Sequence, residues 1–275
     1  MNNRTDLAIE YEKIDAESRS FTEKIGDFEI IFHELSDNNS FSKRKGKYAT
    51  LKVGKIDLLP DFCVLEEAIV KTLEIMLPKD QKNVLVVGLG NNEIISDSIG
   101  PFTSSKILAT RHIKTDFAEK IGLKNLKSVA VLTPNVLGKT GIEAAETVLA
   151  VVNKIKPDLV IVIDALCAST LENLFSVIQF STSGISPGSG VKNARKELSF
   201  ETLGVPTLAI GVPTVVEAKS IVKNYVNFDD GFNIDLLLTP KDTDLLCHKM
   251  SDVIARSLNI FLQPMIDKET LISLV

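Results

Sequence analysis

The chain has 275 residues, a formal net charge of −5, and 44% hydrophobic and 24% charged residues. That length is ample for a substantial core, and the acid-leaning balance carries no electrostatic footprint of direct nucleic-acid binding. Three cysteines (Cys63, Cys167, Cys247) and three histidines (His33, His112, His248) are scattered, which argues against a disulfide framework, a zinc cluster or an HExxH site. The N-terminus lacks an apolar signal core and no run of about 18 apolar residues occurs, so a soluble, cytoplasmic chain that does not engage a membrane is expected.

Residues 1–45 are polar apart from FEIIFHEL (28–35), which reads as a strand. SDNNSFSKRKGK (36–47) is a loop by composition, and YATLKVGK (48–55) a second strand. FCVLEEAIVKTLEIML (62–77) has helical spacing, offers Val64, Ala68, Ile69, Leu73 and Ile75 for an apolar face, and is stopped by Pro78. Four short apolar, β-branched runs follow: VLVVGLG (84–90), SVAVLTP (128–134), DLVIVIDA (158–165) and PTLAIGVP (206–213). Such runs suit strands buried on both faces. Helical candidates lie between and after them at 100–112, 141–155, 215–226 and 243–262. The alternation predicts an α/β fold: three layers, doubly wound, a mostly parallel central sheet with helices on both faces, and small β additions near the N-terminus.

GLGNNEIISDSIGP (88–101) leaves the first of the four runs. A dinucleotide turn would need a third glycine where Glu93 stands, and a phosphate-binding GxxxxGK[ST] loop is absent. Asp97 suits an N-cap. However, Pro101 prefers the first helical position with Gly100 as cap, which would leave Asp97 upstream in the loop. Asp164 ends the run LVIVID, and in open α/β sheets ligand sites lie outside the carboxyl ends of strands. Two neighbouring carboxylates with divided proton affinities suit acid–base activation of water. A transition metal would want histidine or cysteine beside them. The nearest histidine, His112, reads as a dipole partner at a helix end. Capping and catalysis both remain open for Asp97 on these grounds.

Elsewhere, Thr140 and Glu143 have capping-box spacing. STSGISPGSGVKNARKELS (181–199) is a long irregular segment whose glycines and basic residues suit an anion or a substrate chain. Cys167, close behind Asp164, is either a nucleophile or a buried structural cysteine.

GLGNNEIISDSIGP, TRHI, LTPNVLGKTGIEAAE, KPDLVIVIDAL, GISPGSGVKNARKELSFETLGVPTLAIGVPTVVEA and LLLTPKDTD occur in this order. Together they resemble the germination protease family of endospore-forming bacteria, from about Arg4 to about Pro264. The resemblance implies a fold similar to the hydrogenase-maturation proteases. It implies an endopeptidase of the spore core that degrades small acid-soluble DNA-coating proteins at germination, working as a homotetramer. Catalysis would fall to two aspartates, Asp97 and Asp164, with neither cofactor nor metal. The family is made as a zymogen, so RTDLAIE (4–10) is expected to be cut between Asp6 and Leu7, leaving residues 1–6 as a propeptide and 7–275 as one peptidase domain. Asn91, Ser186, Gly188, Ser189, Gly190 and Arg195 are expected to hold substrate. The chain departs from the family with Asn92 where an aromatic residue is usual, and with Asn135 and Leu137 in place of the Gly and Met of P-G-V-M-G. Two rival readings are a metal-dependent maturation endopeptidase of similar fold, disfavoured by the scarce histidines, and a non-catalytic homologue.

Overall fold

A run of apolar, β-branched residues is stable only where both of its faces are covered, and in this protein those runs become the centre of one sheet. The structure, a computed structural model, describes residues 5–11, 19–35, 45–78, 80–113, 125–188, 195–226 and 236–274. The strands are β1 (Arg19–Ile25), β2 (Phe28–Leu35), β3 (Gly46–Lys52), β4 (Asn83–Gly88), β5 (Ser128–Leu132), β6 (Leu159–Ala168), β7 (Val177–Ser181), β8 (Thr207–Glu217) and β9 (Leu237–Leu238). Their order is β1-β2-β3-β7-β8-β6-β4-β5, with β9 beside the end of β8. The sheet is mixed. The strands β8-β6-β4-β5 run parallel, whereas β1-β2-β3-β7-β8 pair antiparallel.

Helices cover both faces, as expected. The first face carries α1 (Cys63–Met76), α2 (Ile99–Ser104) and α7 (Thr243–Leu262). In α1, Leu65, Ala68, Ile69, Thr72, Leu73 and Met76 are buried, the three-and-four spacing of a single helical stripe. All of these but Thr72 join Val84, Val86, Ile161, Ile163, Leu208 and Ile210 in the larger core cluster. The second face carries α4 (Ala144–Ile155) and α5 (Phe200–Leu203), which pack Val148, Val152 and Leu203 on Leu85, Val87, Val160 and Val162. Leu7 of the N-terminal segment continues this layer over Leu166, Ala168 and Val177.

Several elements differ from the sequence expectation. β1 and β7 carry too little apolar patterning to stand out, yet β7 joins the two halves of the sheet through β3 and β8. The helix expected over 100–112 ends at Ser104, because the Asn259 side chain of α7 bonds Leu108 N (2.9 Å) and Lys106 O (2.9 Å) and turns the chain toward β5. His112 accordingly lies in a turn and not at a helix end. The segment 215–226 is strand as far as Glu217, since Val215 and Val216 still pair with Cys167 and Ala168. Only afterwards does it form α6 (Ala218–Ile221) and a π-turn, Val222–Val226. Thr140 does not cap α4: its hydroxyl accepts from Ile142 N (3.1 Å) at the end of α3 (Leu137–Thr140), and the N-cap is Glu143. A capping box forms instead at α5 between Ser199 and Thr202.

The packing that sets the rest is a backbone-to-backbone approach at the head of β4. Leu89 N donates to Ile163 O of β6 (2.8 Å). A Cβ on Gly100, in the first turn of α2, would stand 2.2 Å from Leu89 O and 2.5 Å from Ile163 O. Only glycine fits there, and the same holds for Gly88, the first glycine of the G-x-G, where a Cβ would stand 2.3 Å from Gly100 O; Gly88 is thus a helix–strand packing device. Gly100→Ala should therefore lower stability by roughly 2 kcal/mol or more, read as a lower midpoint in a denaturant titration.

Candidate functional site

In the sheet, β4 is followed in sequence by β5 on one side and lies against β6 on the other. This reversal of strand order opens a crevice at the carboxyl ends of β4 and β6. The loop after β4 carries Asp97, at the end of the 3-10 turn Ile95–Asp97, and β6 carries Asp164. Asp97 is not a helix cap: the N-cap of α2 is Ser98. Gly90, at φ +112°, lets the loop fold back so far that a Cβ there would lie 2.1 Å from Asp97 O. Asn91 N donates to Asp97 O (3.0 Å), Thr214 Oγ1 of β8 donates to Ser96 O (2.6 Å), and Cys247 Sγ of α7 donates to Ile95 O (3.1 Å). The loop is therefore tied to the sheet and to α7 on both sides of the aspartate.

Asp97 and Asp164 line one cavity of about 350 Å³, together with Asp6, Asn135, Cys167, Ser186, Gly188 and Arg195 among others. Asp164 is only 5% exposed. Burial first, then the neighbouring Asp97 charge, pushes its carboxyl well above the usual range, against one backbone hydrogen bond from Ala165 N (2.9 Å); Asp6 adds a further upward push. Burial also pushes Asp97 up to about 6, offset in part by the Asn91 backbone. The two carboxyl groups consequently favour one proton between them near neutral pH, the condition for an acid and a base side by side. The Cys167 thiol is pushed up to about 12 by burial and by Asp6, Glu217 and Glu10, which removes it as a thiolate nucleophile.

Of the segment 181–199, Ile185, Ser186, Pro187, Gly188 and Arg195 line the cavity. Ile185 and Leu198 exchange two backbone hydrogen bonds (2.9 and 2.8 Å), and Arg195 N bonds Pro187 O (3.0 Å). Ser186, Gly188 and Arg195 thus reach the cavity, with the Arg195 guanidinium 3.7 Å from Glu143 on the opposite wall. Ser189 and Gly190 lie outside the described residues. Asn91 is buried but does not line the cavity; its side chain accepts from Glu93 N (3.0 Å) and shapes the loop. Asn135, on the rim, has φ +66°, a left-handed conformation that asparagine tolerates better than most residues and glycine adopts freely. Among the described residues, no group of three His, Cys, Asp or Glu side chains is gathered to hold a metal ion.

The family model for germination proteases matches residues 6–229. The chain belongs to the germination protease family. The germination protease of Clostridium acetobutylicum is 35% identical over 315 aligned residues, covering 96% of each chain. That of Caldanaerobacter subterraneus is 36% identical over 310, covering 95% of this chain and 94% of the other. A solved [NiFe] hydrogenase maturation protease, HycI from Thermococcus kodakarensis, aligns with 70% of this chain and 98% of its own at TM-score 0.39 and 16% identity, too loose a likeness to carry weight. Family membership makes the chain a protease with a germination role. No helix among the described residues is long and apolar enough to cross a membrane.

Sequence reasoning did not foresee where the N-terminal segment lies: it docks in the same crevice. Asp6 N donates to Cys167 O (3.0 Å), and Cys167 N donates to Asp6 Oδ2 (2.9 Å). Leu7 is fully buried. The sequence marked this segment only through the resemblance that gave RTDLAIE (4–10) as a processing site, with nothing to say where it would sit.

An aspartate raised from about 3.9 unfolded to about 6 folded binds its proton more tightly in the folded chain, so its share of stability falls as pH rises through that window. Asp97→Asn lacks this loss. Its stability relative to the parent chain should rise by on the order of 1–2 kcal/mol between about pH 4 and pH 7, with allowance for partial exposure, as measured by urea unfolding at the two pH values.

Proposed function

We propose that this protease is an endopeptidase in which Asp97 and Asp164 activate water, and that its substrates are the small acid-soluble DNA-coating proteins of the spore. Family membership supports the substrate class. The observation that carries the mechanism is the shared cavity: two carboxyl groups of unequal proton affinity face the same space as Asp6, the residue before the expected cut. Above pH of about 6, Asp97 is ionised and takes a proton from water. The oxygen adds to the scissile carbonyl carbon. Asp164, held neutral by burial beside a charged neighbour, hydrogen-bonds the carbonyl oxygen as it gains charge, and the proton that Asp97 took from water passes to the leaving nitrogen as the C–N bond breaks and the carbonyl re-forms. Burial keeps bulk water from competing for these protons.

The same geometry supports the zymogen reading. Residues 1–6 act as the propeptide and 7–275 as one peptidase domain. In the uncut chain Asp6 lines the crevice, adding a third carboxylate that raises Asp164 further. Ser186, Gly188 and Arg195 form the wall along which an extended substrate lies, and Arg195 supplies a positive charge for an acidic chain. The metal-dependent alternative lacks a histidine at the pair among the described lining residues.

Asp97→Asn and Asp164→Asn should each lower cleavage of a small acid-soluble spore protein by about 10³-fold while the fold survives. Turnover near that of the parent in either variant would sink the two-aspartate mechanism. The pH profile of the parent should rise through about pH 6 as Asp97 ionises. N-terminal sequencing of the matured chain should begin at Leu7, and any other start would refute the processing site.

A further inference from the structure

The pairing of β8 with β6 is interrupted beside the crevice. It runs in register from Val160 and Thr207 to Leu166 and Pro213, then resumes at Cys167 and Val215, which leaves Thr214 as one extra residue on β8. Such a bulge re-aims a side chain that a regular strand would hold in the pleat. Pro213, just before it, has no N–H to lose from the ladder, and its carbonyl accepts from Phe175 N (2.9 Å).

The bulge delivers Thr214, fully buried, to the wall of the cavity that holds the two aspartates. Its hydroxyl donates to Ser96 O (2.6 Å), the carbonyl of the peptide unit that leads into Asp97. On the other side of the same residue, Asp97 O accepts from Asn91 N (3.0 Å). Both peptide units flanking the Asp97 Cα are therefore fixed. Thr214 is itself seated: its carbonyl accepts from Thr239 Oγ1 (2.8 Å), which in turn meets Thr243 Oγ1 (2.8 Å) in the first turn of α7. A valine would fill the space of Thr214 without the cost of burying a hydroxyl. What the hydroxyl adds is the hold on Ser96.

We propose that Thr214, seated by Thr239, is the positioning residue for Asp97, holding the peptide unit before the aspartate so that its carboxyl stays in the crevice with Asp164. This rests on the reading that Asp97 takes the proton from water. Burial is the largest cause of the raised proton affinity of Asp97. A loop released at Ser96 relaxes toward solvent and gives up part of that burial. The other titratable or charged groups on this cavity are Asp6, Glu143, Asp164, Cys167 and Arg195, and the substitutions below touch none of them.

Two readouts test the role. The Asp97 carboxyl is titrated by NMR in the full chain, its signal assigned by loss in Asp97→Asn. The kcat and KM for a small acid-soluble spore protein are measured with the active form of each chain. Thr214→Val should lower the titration midpoint from about 6 by about one pH unit. It should lower kcat by about tenfold or more with KM within about twofold, the mark of misplaced reacting groups. Thr214→Ser, which keeps the hydroxyl, should restore both. An unmoved midpoint in Thr214→Val overturns the proposal even if turnover falls, since a merely structural role lowers turnover without changing how Asp97 titrates. A moved midpoint with parent-like kcat, or a serine variant as impaired as the valine one, overturns it as well. If the parent chain cleaves no spore protein while the midpoint still moves and serine restores it, the positioning stands and the proposed reaction fails. Should Thr214→Val not fold, Thr239→Ala at the exposed end of the chain of hydroxyls decides: a lowered midpoint supports the role, and a parent-like one overturns it.

Discussion

Everything in the crevice depends on how closely the loop after β4 approaches β6. Leu89 N reaches Ile163 O at 2.8 Å, and Gly100 sits where a methyl group would overlap two carbonyl oxygens. That contact brings the start of α2 down onto the sheet. It also sets the height at which Asp97 stands over the strand that carries Asp164. Gly90 completes the geometry by letting the loop return on itself at a positive φ. A side chain at either glycine would lift the loop, and the two carboxyl groups would separate into solvent, where neither would keep a shifted proton affinity.

The electrostatics follow from that placement. A strand buried on both faces carries an acid at its end, and the low-dielectric surroundings favour its neutral form. A second acid on a partly exposed loop then ionises more easily than the first. The inequality arises from where each backbone element lies, since both residues are aspartate. Two anchors from distant parts of the chain, Thr214 and Cys247, and one within the loop, the Asn91 backbone, hold it in place. Pre-set position of this kind spares the reacting groups reorganisation.

The N-terminal segment uses the same end of that strand, just beyond Asp164. Cys167 and Ser169 of β6 and its following turn offer their backbone N–H groups to Asp6 and Glu10, while Gln179 of β7 grips the chain between. The thiol of Cys167 is incidental to this, because burial and three carboxylates hold it protonated. A bulge between Leu166 and Cys167 accompanies the change of role along β6, from core strand to binding edge. Neutral donors beside the acid pair thus hold the chain's own Asp6 and Glu10 without a dense cationic patch.

The four apolar runs were legible as buried strands because residues that cannot face water leave a pattern in any context. Asp97 and Asp164 were legible as a candidate pair because each follows such a run. β1 and β7 were not, since one has an exposed face and the other only five residues. Nor could sequence tell whether Asp97 caps α2, a question answered by Ser98 taking the cap position. Asn91 looked like a substrate ligand but is spent on shaping its loop. By itself the sequence determined the α/β class, the glycine-lined turn and the two acids, all of which rest on local pattern and residue type. Tertiary structure alone decided strand order, the differing burial of the two acids and the seat of residues 6–10. Those depend on contacts between residues up to 173 positions apart, such as Gln179 with Asp6, which no local pattern encodes.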